Sequence, residues 1–114
     1  MSEDSLSVVE AFNQRYRSAW GSDEILDLYC DDGVMVAEVT AIGKPAIGDL
    51  LKAIFSQGWT LQEVRTVYQK KQGDMILTTV EYTAESDGQT SKATATQVLV
   101  NDGGTWKTAM HTNA

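Results

Sequence analysis

The order of elements constrains this chain most: a front half with helical periodicity is followed, over residues 59–112, by extended stretches separated by turn signals. The breaks are Gln72-Gly73-Asp74, Ser86-Asp87-Gly88 and Asn101-Asp102-Gly103-Gly104. Such residues tolerate positive φ and close antiparallel hairpins. The expected result is a curved sheet wrapped against the helices that precede it. At 114 residues the chain reads as one domain, 1–114, because a second core would leave too few buried residues in each half.

Residues Ser5–Ala19 carry Leu6, Val9, Phe12, Tyr16 and Ala19 at helical spacing, continued by Trp20, behind an acidic start of Glu3 and Asp4 suited to a helix N-terminus. This stripe is rich in aromatics, so the helix is predicted to lie across the hollow of the sheet. A second, short helix is predicted over 22–30, with Ser22 as its cap and acids in its first turn, stopping at Gly33. Residues 34–39 read as a first strand. Gly43-Lys44-Pro45 then turns the chain into a third helix that carries Ile47, Leu50, Leu51, Ile54 and Phe55 on one face and ends near Gly58.

The back half can be divided by face, because successive strand residues point to opposite sides. Over 75–84, Ile76, Thr78, Val80, Tyr82 and Ala84 share a face; over 92–100, Thr94, Thr96, Val98 and Val100 oppose Ala93, Ala95, Gln97 and Leu99. Thr78, Thr94 and Thr96 are assigned to the inner side. Buried hydroxyls need partners, so a layer of them marks a pocket that is partly wet or ligand-filled. Neither strand has a purely polar outer face, which predicts a homodimer through the outside of the sheet. On the last strand Trp106, Thr108 and Met110 alternate with Lys107, Ala109 and His111. With Trp106 in the core, strict alternation would put His111 on the outer or interface side.

Charge and composition exclude several function classes. A net charge of −7 opposes binding to nucleic acid or to an anionic membrane. Apolar residues at 42% and charged residues at 22% suit a soluble globular chain. No stretch has the length of an apolar membrane span, and the acidic residues 1–5 are unlike a secretory signal, so a cytoplasmic location is expected. Cys30 stands alone and cannot form an internal disulfide; it reads as a small buried hydrophobe. His111 is the single imidazole and therefore the first candidate for any general base near neutral pH. With no second histidine and with Asp31-Asp32 at a predicted helix end, no metal and no cofactor are expected.

The run from Val8-Val9 to Tyr16, then 23–34 (Asp-Glu-Ile-Leu-Asp-Leu-Tyr-Cys-Asp-Asp-Gly-Val), then Gly43 before Ile47, resembles the opening of the nuclear transport factor 2-like superfamily, which includes ketosteroid isomerases and SnoaL-like cyclases. Asp102-Gly103-Gly104-Thr105-Trp106-Lys107 followed by Met110-His111-Thr112 is similar to the Gly-x-Trp-Lys close of small SnoaL-like members and of the kinase II association domain. The resemblance implies an α+β fold: a cone-shaped, curved antiparallel or mixed sheet with three N-terminal helices packed in its concave face. It also implies a pocket between sheet and helices. In ketosteroid isomerases a helix-one tyrosine and a protonated aspartic acid hydrogen-bond the developing enolate oxygen, while a second aspartate moves the proton. That pattern places the tyrosine on Tyr16, the base on Ala37 and the acidic donor on Thr96. Both carboxyl groups are missing, so steroid isomerisation by that route is not expected. Glu38 is one residue from the base position, where an inward carboxylate would need a partner or a raised pKa.

The expected function is the binding of a small apolar or partly polar ligand between helix one and the sheet. Tyr16 and Tyr82 would orient the ligand, Thr78, Thr94 and Thr96 would add polar contacts, and Trp20, Val80, Val98 and Met110 would form the walls. An enzymatic version would be a cofactor-free isomerase, cyclase or dehydratase with Tyr16, His111 and Glu38 as its candidate residues. The alternative is a homo-oligomeric association module whose cavity is a by-product, filled by Trp20, Tyr29 and Phe55.

Overall fold

The computed structural model describes residues 4–113, so Glu3 of the expected acidic cap lies outside the described residues, while Asp4 stands at the N-cap without a side-chain cap hydrogen bond and accepts from the Ser7 hydroxyl at 3.1 Å. Helix α1 (Ser5–Ala19) buries Val8, Val9, Phe12, Tyr16 and Ala19, together with Asn13. These positions recur every three or four residues and form one stripe, which is what lets a single helix face close over a sheet. Helix α2 (Lys44–Ser56) carries Pro45 in its first turn and buries Ile47 and Leu51. Proline fits there because the first helical N–H groups have no intrahelical acceptor.

The helix expected over 22–30 is shorter and tighter. Residues Asp23–Leu28 form a 3-10 helix, and strand β1 (Tyr29–Val36) begins at once. Six residues are too few to nucleate a stable α-helix, and pairing takes the chain over at Tyr29, which lies beside Thr108 of strand β6 (Thr105–Asn113). Cys30, Asp31, Asp32 and Gly33 thus belong to β1 and not to a helix end.

A short strand β2 (Thr40–Ile42) returns along β1, and β3 (Thr60–Gln72), β4 (Met75–Ser86), β5 (Gln89–Asp102) and β6 follow one another as antiparallel neighbours. The spatial order is β2-β1-β6-β5-β4-β3, with β1 and β6 parallel, so the sheet is mixed and open. Asp87 (φ 56°) and Gly88 (φ 79°) form the β4–β5 turn. Positive φ at both central residues matches the twist of a two-residue hairpin. The core fills one side of this sheet, where Phe12, Ile25, Tyr29, Met35, Ile47, Leu51, Ile76 and Leu99 cluster. No helix among the described residues is long and apolar enough to cross a membrane.

Two face assignments differ from expectation. On β4, Ile76, Thr78, Val80 and Ala84 do turn inward, but on β5 the inward residues are Ala95, Gln97 and Leu99. The cause is the two-residue turn, which pairs Ile76 with Leu99, Thr78 with Gln97 and Val80 with Ala95. Directly opposed residues share a face, so even positions of β4 sit with odd positions of β5. Thr94, Thr96, Val98 and Val100 therefore lie on the outside. On β6 the pairing passes from Leu99↔Thr108 to Val98↔Met110 and leaves Ala109 unpaired. This β-bulge resets the alternation. Trp106, Thr108 and His111 all point inward, and Met110 is 43% exposed outside.

A second irregularity lies between Tyr29 and Val34 of β1, where the register against β6 shifts. A Cβ added at Gly33 would come within 3.0 Å of the Cys30 carbonyl oxygen and 3.3 Å of the Thr108 carbonyl oxygen. Both are backbone oxygens at the β1–β6 junction, so the contact is relieved only by a shift of the backbone itself. Gly33→Ala is expected to destabilise the fold by about 1–3 kcal/mol. Urea denaturation checks this; an unchanged midpoint would show that the junction relaxes freely.

Candidate functional site

Helix α1 does not press flat against the sheet. A cavity of about 280 Å³ separates them, bounded by Asn13, Tyr16 and Trp20 of α1, Leu61 and Val64 of β3, Val80, Tyr82 and Ala84 of β4, and Ala95 and Gln97 of β5. Ile54 and Gln57 at the end of α2, with Trp59, close one end; Met35, His111 and Asn113 form the other wall. The Trp20 indole N–H donates to the Trp59 carbonyl oxygen at 2.9 Å. Its ring meets Phe55 edge to face with centroids 4.8 Å apart. These contacts fix the Trp20 side chain in the cavity lining, against α2 and the residue that precedes β3.

A chain of hydrogen bonds runs along the deep wall. The Tyr16 and Tyr29 hydroxyls are 2.8 Å apart, the Tyr29 hydroxyl is 3.1 Å from His111 Nδ1, and His111 Nε2 is 2.9 Å from Asn113 Oδ1. Burial pushes the His111 imidazole down from an ordinary 6.5 to about 4, against the opposing influence of Asn113. Burial likewise pushes the Tyr16 hydroxyl up to about 12, with the hydrogen bond to Tyr29 working the other way. Tyr29 is held well above its ordinary range by burial and by its neighbour Tyr16. Each shift favours the uncharged form, the usual consequence of desolvation. None of the lining residues is Asp, Glu, Lys or Arg. The polar wall is therefore neutral near pH 7. Further along it, Asn13 Nδ2 donates to Thr66 Oγ1 at 3.2 Å, and Gln97 Oε1 accepts from Thr108 Oγ1 at 3.4 Å.

Of the residues proposed from sequence, Tyr16, Trp20, Val80 and Tyr82 meet at this cavity, and His111 joins them through the Ala109 bulge. Thr78 is buried, but its hydroxyl donates to the Tyr68 carbonyl oxygen at 2.8 Å and does not line the void. Thr94, Thr96, Val98 and Met110 are on the opposite face; the Thr96 hydroxyl lies 3.4 Å from that of Thr79 there. Glu38 is exposed in the turn between β1 and β2, remote in kind from a buried base. Asn13, Gln97 and Asn113 were missed. Asn13 sits one helical turn before Tyr16, so the stripe itself pointed to it. Tyr29, which the association-module alternative would have fill the cavity, is buried outside its lining, with its hydroxyl bonded to Tyr16 and His111.

Asp31 is exposed and its carboxylate pairs with Lys44 Nζ at 3.4 Å. Among the described residues no group of three or more His, Cys, Asp or Glu side chains is placed to hold a metal ion. Cys30 is half-buried rather than core; burial and the nearby Asp32 carboxylate raise its thiol pKa, which keeps it a weak nucleophile.

No protein-family model matches the chain, and no curated protein matches it at a significant level. Solved structures do. A domain of unknown function with a cystatin-like fold from Nostoc punctiforme superposes with a TM-score of 0.83 at 18% identity, covering 100% of this chain and 78% of that one. A candidate calcium/calmodulin-dependent protein kinase type II association domain from Thiobacillus denitrificans gives 0.78 at 16% identity, covering 91% of each chain. A nuclear transport factor 2-like protein of unknown function from Pseudomonas putida gives 0.76 at 17% identity, covering 95% of this chain and 84% of that one. At these identities the likeness is one of fold. The chain has the cystatin-like, nuclear transport factor 2-like fold, an α+β arrangement of helices before an open mixed sheet.

The depressed His111 pKa has a consequence for stability. Above pH 6.5 the imidazole is neutral in both states; between about 6.5 and 4 the unfolded chain takes up a proton that the native one refuses. Stability should fall through that window as pH falls, by about 3 kcal/mol from this group alone, with no further loss below it. His111→Gln should flatten that part of the profile. Urea midpoints at about pH 7 and about pH 5 check the point; parallel losses in the two proteins would show that the imidazole titrates normally in the fold.

Proposed function

We propose that this protein binds an uncharged, mainly apolar small molecule in the cavity between α1 and the sheet. The observation that carries the reading is the lining itself: a void of about 280 Å³ with apolar walls, neutral polar groups and no charged side chain. A charged ligand would lose its hydration there without gaining a counter-charge. An uncharged ligand gains from apolar burial and finds a few polar groups to orient it. Binding is favoured over catalysis because the lining holds no carboxylate and both ring nitrogens of His111 already have partners. General acid–base chemistry needs a group poised to exchange a proton near the working pH.

Trp20 and Trp59 line the cavity, so intrinsic fluorescence should change when an indane- or naphthalene-sized compound enters. Ala95 is 1% exposed and faces the void. Ala95→Phe should fill the space and abolish the fluorescence response while the protein stays folded. Undiminished binding in that variant would place the ligand elsewhere.

A second reading concerns the outer face. Leu77, Val98, Met110 and Val34 lie side by side across four strands, with the hydroxyls of Thr79, Thr96 and Thr112 in the next row. Leu77 is 40% exposed, and Tyr68 and Met75 nearby are also open. An apolar row bounded by the Arg65–Glu81 ion pair suits self-association, and a homodimer through this face is the reading it supports. Light scattering should give twice the chain mass at micromolar concentration, and Leu77→Lys should reduce it to the monomer. A monomeric wild-type chain would remove this second reading and leave the ligand pocket standing.

A further inference from the structure

The buried hydrogen-bond chain on the cavity wall has a direction. Asn113 presents its carbonyl oxygen Oδ1 to His111 Nε2 at 2.9 Å. A carbonyl oxygen only accepts, so the proton of the neutral imidazole is on Nε2 and Nδ1 carries a lone pair. Nδ1 then accepts from the Tyr29 hydroxyl, 3.1 Å away. Tyr29 has a single hydroxyl proton, so toward Tyr16, at 2.8 Å, its oxygen must act as the acceptor. Tyr16 therefore donates inward to Tyr29, and its own proton is committed. Tyr29 is 0% exposed and absent from the cavity lining, whereas Tyr16 is part of it. What the chain offers to the void through Tyr16 is an oxygen with lone pairs and no proton.

We infer that Tyr16 is a hydrogen-bond acceptor toward the ligand, so that the pocket selects compounds with a hydroxyl or N–H donor over carbonyl compounds of the same shape. This rests on the pocket reading above and gives it a ligand class: apolar alcohols, phenols or neutral amides and amines. It is also the reverse of the donor role that the resemblance to ketosteroid isomerases implies for a helix-one tyrosine. A ketone placed at Tyr16 would set two acceptors against each other, and a site that leaves such a pair unbridged discriminates strongly. Asn113 and His111 act here as positioning residues, since they fix the polarity of the chain without needing to touch the ligand.

The test uses the wild-type chain, Tyr16→Phe, and two probes of the same bicyclic skeleton, 1-indanol and 1-indanone, with affinity read from tryptophan fluorescence. The alcohol should bind at least about tenfold more tightly than the ketone, and Tyr16→Phe should abolish the preference. A second measurement needs neither ligand nor variant. His111 is the single histidine, so its ¹⁵N resonances identify the tautomer directly, and the proton should be on Nε2. A proton on Nδ1, or a ketone that binds as tightly as the alcohol, overturns the acceptor assignment and leaves the pocket reading intact. If neither probe binds at millimolar concentration, the pocket reading fails and the ligand class fails with it, whatever the tautomer.

Discussion

Tyr29 is the side chain on which the interior depends. It is wholly buried, it opens β1 beside Thr108 of β6, and its hydroxyl ties helix α1 to the last strand through Tyr16 and His111. A buried hydroxyl without a partner costs on the order of 1–3 kcal/mol, so these three groups stabilise one another only as a set. Their rings reinforce the geometry: Tyr29 lies nearly parallel to His111, and Tyr16 stands edge-on to both. The result is a rigid polar seam within an otherwise apolar core. Such a seam fixes the donor and acceptor positions along the cavity wall.

The void survives for reasons of side-chain size and anchoring. Ala84 and Ala95 face it from adjacent strands, where larger residues would reach α1. Trp20, a large side chain in its lining, is fixed by Phe55 and by the Trp59 carbonyl group. Close packing leaves few spaces larger than a water molecule in most interiors; here two alanines and a tethered tryptophan leave a space of about 280 Å³ between α1 and the sheet. The neutral wall follows from the same burial: His111 stays unprotonated and the tyrosines stay protonated because water has been removed from around them.

Strand pleating lets one set of strands carry two surfaces. On β4 and β5, Val80, Ala95 and Gln97 look into the cavity while Leu77, Thr79, Thr96 and Val98 look out. A substitution on one face leaves the other chemically untouched, so the proposed ligand binding and the proposed self-association can be separated by mutation. Coupling between them would have to pass through the backbone of β6, where Met110 faces out and His111 faces in on either side of one peptide bond.

Much of the architecture was legible without coordinates. The aromatic stripe of Ser5–Ala19, the proline-led helix with Ile47 and Leu51, and the turns at Gly73, Asp87-Gly88 and Gly103-Gly104 are local features, set by periodicity and by which residues tolerate positive φ. The inward face of β5 was also available in principle, since a two-residue turn dictates that Val80 opposes Ala95; Thr94 and Thr96 lie on the other face. The inward turn of His111 was not available. It depends on Ala109 standing unpaired, which arises because β6 must match antiparallel β5 on one side and parallel β1 on the other. A mismatch between two long-range pairings has no signature in the residues between them. The linear chain determined which elements form, and the meeting of three strands decided that its only imidazole would face the cavity.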